Sequence, residues 1–257
     1  MSLFDAFSRK PANPVAPPSS AASPDASLCA KQFARLGFLS HDLRSPVASI
    51  LALLDTLDQD GLKAEQLLTL ARIEHYAERS LHISEQLVQL LRVESLPELE
   101  QSELDLLALA EEAQEQCQSK AKAAAVSLVL MQNGTDELWV RGQGELLERA
   151  LVNLIDNAIR YSHKGGRVRV RLSTQDGQVQ CAVEDDGIGM VPEDVALLFS
   201  HYGKLRQAPP QLAGAGLGLH LVAAIAERHG GSIEVSSEAG KGSCFVLRLP
   251  QLLLTGG

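Results

Sequence analysis

Between residues 28 and 57, apolar positions Leu36, Leu39, Leu43, Val47, Ile50, Leu54 and Leu57 recur at steps of three and four. That spacing predicts one helix with a single apolar stripe. Asp58, Gln59, Asp60 and Gly61 interrupt it. A second helix is predicted from about 62 to 93, with Leu67, Leu70, Ile73, Ala77, Leu81, Val88 and Leu91 near one face and Pro97 as its stop. One helical hairpin covers both stripes poorly. Two hairpins paired into a four-helix bundle cover them well, so a homodimer through the hairpin is expected.

From about Ser102 the texture changes. A helix is predicted near 106–124, strands over 126–131 and 138–140, and a helix over 144–161. RVRVRLSTQDGQVQCAVED then alternates polar and apolar on both sides of Asp176-Gly177, which signals a hairpin. A short helix near 192–200, a helix near 216–229 and a second hairpin around 238–242 follow. Helices with a largely antiparallel sheet predict a two-layer α/β sandwich. The expected plan is a Pro/Ala/Ser-rich tail or linker over 1–27, a helical domain over 28–97, the sandwich over 98–252, and a tail over 253–257.

Composition narrows the partners. The chain has 257 residues with 45% apolar content, enough for two modest cores. Its formal charge of −9 and lack of a basic run argue against nucleic acid. Cys29, Cys117, Cys181 and Cys244 are too scattered for a zinc site or a disulfide framework and read as reduced thiols. No stretch reaches the roughly 18 apolar residues of a membrane span, so no membrane contact is expected from this chain itself and a cytoplasmic location is.

Four stretches carry candidate chemistry. In FLSHDLRSP, His41 lies two residues beyond the stripe residue Leu39, about 200° around the helix, and so points away from the bundle core. The neighbouring Asp42 could take a proton from one imidazole nitrogen and leave the other nucleophilic; taken alone, His41 reads first as a solvent-exposed histidine on a polar face. In NLIDNAIRYS, Asn153 and Asn157 share a helix face, and Arg160 and Tyr161 follow within a turn. Amide oxygens suit Mg²⁺ and Arg160 suits a phosphate, but local hydrogen bonding explains two asparagines as well. EDDGIGM ends a strand and turns through Gly187 and Gly189; Asp185 could accept from an exocyclic amine, or the stretch is an ordinary turn. In GAGLGLHLVAAIAERHG, Gly214, Gly216, Leu217 and Gly218 open a helix whose amides could meet phosphate, or form a plain loop.

Taken in order, His41, Asn153/Asn157, Asp185-x-Gly187-x-Gly189 and Gly214-x-Gly216-x-Gly218 resemble the sensor histidine kinases of two-component systems. The first helices look like the dimerisation and histidine-phosphotransfer domain. The region 103–250 looks like the ATP-binding domain of the gyrase, chaperone and histidine kinase superfamily. The resemblance implies an ATP-dependent protein histidine kinase with His41 as phosphoacceptor and Asp42 as its base. It passes the phosphoryl group to an aspartate of a response regulator receiver domain. It further implies that Asn157 holds Mg²⁺ with Asn153 in support, Arg160 touches phosphate, and Tyr161 packs near adenine. Asp185 would bind the adenine amine, with Gly187 and Gly189 shaping the pocket. Phe199 and Tyr202 resemble the family's aromatic box. Lys204 matches a phosphate contact at the start of a lid over 203–215, which runs into the Gly214, Gly216, Leu217 and Gly218 stretch. A membrane sensor upstream would make the chain the cytoplasmic part of a larger receptor.

Three positions depart from the family pattern. Ser45 stands where Thr or Asn is usual for dephosphorylating the regulator, which leaves phosphatase activity open. Gln143 replaces a frequent Asp. Asn153 occupies the place where hydrolytic relatives carry a Glu, which disfavours bare ATP hydrolysis. The alternative reading is a nucleotide-gated interaction module without phosphotransfer.

Overall fold

The computed structural model describes residues 45–58, 61–95, 99–132, 134, 137–196, 198 and 217–253. The chain divides into two compact units at 96/97, each considered by itself.

The first unit is helical. Helix α1 is described over 45–55. It closes where Leu57 N–H donates to the Leu54 carbonyl at 3.2 Å and Thr56 Oγ1 donates to the Ala52 carbonyl at 3.1 Å. Gly61 (φ +83°) then supplies a left-handed residue that the turn requires. Helix α2, Ala64–Ser95, starts where the Gln66 side chain accepts from the Lys63 amide at 2.9 Å, satisfying a donor that the helix leaves unpaired. Ala77, Leu90 and Val93 are buried. Leu67 and Ile73, expected on the covered stripe, are exposed in the single chain, as are Ile50, Leu53, Leu57, Leu68 and Tyr76.

The second unit is the sandwich. Strand β1, Ser102–Asp105, is a short strand that the hydropathy pattern does not signal. Asp105 then caps helix α3, Leu106–Ala123, its Oδ1 accepting from Leu107 N at 2.9 Å. Strands β2 (Ser127–Gln132) and β3 (Trp139–Gly142) lead to helix α4, Gly144–Tyr161. The hairpin β4 (Arg167–Gln175) and β5 (Gln178–Asp185) turns at Asp176-Gly177, as its alternation predicts. Helix α5 is short, Pro192–Val195. Helix α6 (Leu217–Arg228) and the hairpin β6 (Ser232–Glu238) and β7 (Gly242–Pro250) complete the unit.

Five strands form one sheet in the order β2-β4-β5-β7-β6. β2 and β4 run parallel, and the other pairs are antiparallel. One face carries Val168, Val170, Leu172, Cys181, Val183, Leu247 and Leu249, all sealed against solvent. Helix α4 turns Leu147, Leu151, Leu154 and Ile155 into this layer and packs against α3, α6 and β5. Burying each such side chain contributes about 1.5–3 kcal/mol. The opposite face carries a small cluster of Ala182, Cys244 and Val246. Arginines flank it: Arg169 pairs with Glu184 (3.1 Å) and Asp186 (2.7 Å), Arg171 with Glu184 (2.9 Å) and Arg248 with Glu234 (3.1 Å).

A second, two-stranded sheet pairs β1 with β3 antiparallel. The other edge of β3 takes up the end of the unit: Val140 bridges to Gln251, and Leu252 N–H donates to the Trp139 carbonyl at 2.7 Å.

Candidate functional site

The site is built where β5 ends. Asp185 lies in the β5–β7 register opposite Ser243 and points to the helix side of the sheet. It is 2% exposed. Burial pushes its carboxyl up to about 7, the neighbouring Asp186 adds to the rise, and the amides of Ser243 and Gly187 with the Ser243 hydroxyl pull the other way. Its Oδ1 is buried and has no hydrogen-bond partner in the protein. A buried carboxylate oxygen left unpaired costs about 1–3 kcal/mol or more, so it marks a place where a ligand's donor would be rewarded.

The glycines after Asp185 leave no room for side chains. A Cβ on Gly187 would run into the Tyr161 carbonyl and Asp185 Oδ1. Gly189 (φ +60°) lies against the Glu238 carbonyl, and Gly242 (φ +93°) against the Asp185 carbonyl. Backbone bonds fix the loop on both sides. Ile188 N–H donates to the Tyr161 carbonyl (3.1 Å), and Gly240 N–H donates to the Ile188 carbonyl (2.7 Å). Tyr161 thus meets the glycine loop through its main chain. Ser162 forms an isolated bridge with Gly187.

Helix α4 supplies the amides. Asn153 is buried at 9% exposure and Asn157 is half-buried. Arg160 is held 3.6 Å from Asp156, which also pairs with Lys120 at 2.7 Å. The amide oxygen of Asn157 is a hard donor of the type Mg²⁺ takes alongside phosphate oxygens, so the residue fits that role. Among the described residues, no group of three or more His, Cys, Asp or Glu is arranged to hold a metal without a substrate.

Helix α6 begins at Leu217, which is buried, followed by half-buried Gly218, and the helix packs on α4. At its far end His229 is 5% exposed. Its Nε2 accepts from the Gln143 amide at 3.0 Å, and its Nδ1 donates to the Ile225 carbonyl at 2.7 Å. Gln143, which departs from the usual Asp, therefore enters the unit through its backbone at the start of α4.

His41, Asp42, Phe199, Tyr202, the segment 203–215 with Lys204 and Gly214, and Gly216 lie outside the described residues. Ser45 is described, exposed on α1 in the helical unit, where its carbonyl accepts from the Ser49 hydroxyl at 2.9 Å. Within the sandwich, Asn153, Asn157, Tyr161, Asp185, Gly187 and Gly189 lie on α4 and on the strand and loop packed against it. Sequence reasoning missed Gly242, Ser243 and His229. The signal for the first two was a Gly-Ser pair directly after a hairpin turn, one residue pair downstream of Gly240.

The helix-backed sheet carries a buried aspartate whose Oδ1 has no partner, set among close-packed glycines. Residues 142–253 match the histidine kinase-, DNA gyrase B- and HSP90-like ATPase family. Residues 35–96 match the His Kinase A (phospho-acceptor) domain. The histidine protein kinase DivJ of Caulobacter vibrioides is 32% identical over 231 residues, covering 85% of this chain and 37% of that protein. The sensor-like histidine kinase SenX3 of Mycobacterium bovis is 31% identical over 222 residues, covering 84% and 53%. Full-length ShkA, solved in complex with AMPPNP, shares the fold with a TM-score of 0.65 at 24% identity, over 84% of this chain and 45% of that one. The chain belongs to the sensor histidine kinase family and carries its phosphoacceptor and ATPase-type domains. It spans between about a third and a half of the length of these curated relatives.

Proposed function

We propose that this chain is an ATP-dependent protein histidine kinase core that phosphorylates His41 and hands the phosphoryl group to an aspartate on a response regulator. The observation that carries the reading is the buried Asp185 with its unpaired Oδ1 beside Gly187, an acceptor that suits the amine of adenine. Asn157 would hold Mg²⁺ against the phosphates, with Asn153 beside it on the same helix face. Arg160 and Lys204 would contact phosphate. The Gly214, Gly216, Leu217 and Gly218 stretch would close over the nucleotide. Mg²⁺ supplies charge neutralisation on the transferred phosphoryl group, and the protein supplies position. Asp42 would take the proton of the His41 imidazole.

The exposed apolar residues of the helical unit support a homodimer. No helix among the described residues is long and apolar enough to cross a membrane, which fits a cytoplasmic kinase core. In the family pattern such cores are fed by a sensor, on this chain or on a partner.

Incubation with γ-labelled ATP and Mg²⁺ tests the reading. The expected product is an acid-labile, base-stable label that disappears in His41→Gln and moves to the receiver domain of the regulator. Undiminished labelling of His41→Gln would remove His41 as acceptor. Tight ATP binding without any phosphohistidine would favour a nucleotide-gated module.

A further inference from the structure

Arg160 already has an anion beside it. Asp156 lies one turn earlier on α4 and faces two cations, one with each oxygen. Its Oδ1 accepts from Lys120 Nζ of α3 at 2.7 Å, and its Oδ2 lies 3.6 Å from Arg160 Nη2. The two contacts differ in kind. The first is a charge-assisted hydrogen bond; the second is too long to be one and is Coulombic attraction alone. The Asp156 side chain is 15% exposed, against 58% for Lys120 and 36% for Arg160. The carboxylate is thus the fixed member, and the two cations reach to it. One turn earlier on α3, Gln116 donates to Glu148 of α4 and ties the same two helices, which keeps Lys120 within reach of Asp156.

The charge of one carboxylate is shared here. A cation hydrogen-bonded to one oxygen weakens the attraction that the other oxygen exerts, so Lys120 moderates the hold of Asp156 on Arg160. At 3.6 Å the guanidinium commits no hydrogen bond to Asp156. A nucleotide phosphate offers it two parallel charge-assisted hydrogen bonds. Arg160 therefore has two places to go: along α4 beside Asp156, as the structure shows it, or onto phosphate.

We infer that Asp156 is a positioning residue for Arg160 in nucleotide binding: it restrains the guanidinium along α4, and Lys120, through the other carboxylate oxygen, keeps that restraint weak enough for phosphate to overcome. The inference rests on the proposed phosphate contact of Arg160. It gives α3 a part in phosphate binding through one side chain. Two substitutions on one ion-paired group then act in opposite directions. Lys120→Met leaves Asp156 wholly to Arg160 and works against phosphate, whereas Asp156→Asn releases Arg160 and works for it.

The test is displacement of a fluorescent ATP analogue from the full chain, with Mg²⁺, by ATP and by adenosine, which has no phosphate. Lys120→Met should weaken ATP roughly threefold and Asp156→Asn should tighten it roughly threefold, the scale of one exposed ion pair. Adenosine affinity should stay as in the wild type. The double variant should match Asp156→Asn, because Lys120 acts through that carboxylate. In an Arg160→Met background both effects should vanish. Shifts that persist in that background are a through-space effect of charge and would overturn the inference. So would shifts of the same sign in the two single variants, no shift in either, or equal shifts for ATP and adenosine. Should Asp156→Asn not fold, Lys120→Met with and without Arg160→Met decides by the same criteria. Failure of the wild type to bind ATP would instead overturn the proposed function.

Discussion

The Gln143 amide donates to Nε2 of His229 across 3.0 Å, while Nδ1 of the same ring donates to the Ile225 carbonyl at 2.7 Å. One neutral tautomer satisfies both bonds, and it pins the end of α6 to the start of α4. Gly142 is tight against it: an added Cβ would lie 2.9 Å from Nε2 and 2.9 Å from Leu147 Cδ1. Burial, with the nearby Arg228 charge, holds the imidazole below its ordinary range despite the Ile225 bond.

The sign of the pH effect follows. The unfolded histidine takes up its proton near 6.5, before the folded one does. The contribution of His229 to stability is therefore complete above about pH 6.5 and drains away as pH falls toward the depressed folded value. His229→Ala should lower stability by roughly 1–3 kcal/mol at pH 8. It should also flatten the decline between pH 6.5 and 5, as read by urea denaturation at several pH values.

Asp185 works in the opposite sense. Its folded value near 7 lies above the ordinary 3.8, so the folded chain keeps a proton that the unfolded chain has lost. Stability without nucleotide should fall as pH rises from about 4 to about 7 and then level off. Asp185→Asn should remove that slope and be more stable than the wild type at pH 8, by roughly 1–4 kcal/mol. It should also lose ATP affinity by about tenfold to a hundredfold, the worth of a charged hydrogen bond. Wild-type affinity for ATP should weaken as pH falls through 7, which calorimetric titration would register.

Two glycines separate shape from strain. Gly177 is a turn residue with φ +71° and open space around it, so Gly177→Ala should cost about 1 kcal/mol and leave nucleotide binding intact. At Gly187 the new methyl would meet the Tyr161 carbonyl and Asp185 Oδ1. Gly187→Ala should abolish ATP binding in a protein that still melts cooperatively. Thermal melts with and without ATP distinguish the two, since only the Gly177 variant should gain stability from nucleotide.

The helical unit offers its own test. Leu53 and Leu68 are 70% and 67% exposed in the single chain. Apolar side chains of that size lose about 1.5–3 kcal/mol when left in water. Sedimentation equilibrium should give a dimer for the wild type and a shift toward monomer for Leu53→Glu or Leu68→Glu. A monomeric wild type at tens of micromolar would contradict the expected bundle.

The sandwich was readable where its residues carry local signals. Helix α4 was expected at 144–161 and occupies Gly144–Tyr161, because its apolar spacing is continuous and Tyr161 precedes the break at Ser162. The Asp176-Gly177 turn set the β4–β5 hairpin. β1 escaped notice because four residues, SELD, show no alternation and pair with β3 nearly forty positions away. Asp185 and Gly187 were visible as a motif. Ser243 was not, because its meaning comes from strand register, and register depends on contacts across the whole hairpin. His229 hid for a related reason. Its partner Gln143 lies 86 positions earlier, and nothing in either residue announces the other.

The small sheet has a further consequence. β1 lies along one edge of β3, and Gln251 with Leu252 lies along the other. The path into the sandwich and the path out of it are thus stitched to the same four residues. A unit closed in this way can be excised and spliced between unrelated segments without prying its layers apart. Both ends of the sandwich are therefore anchored inside its own fold.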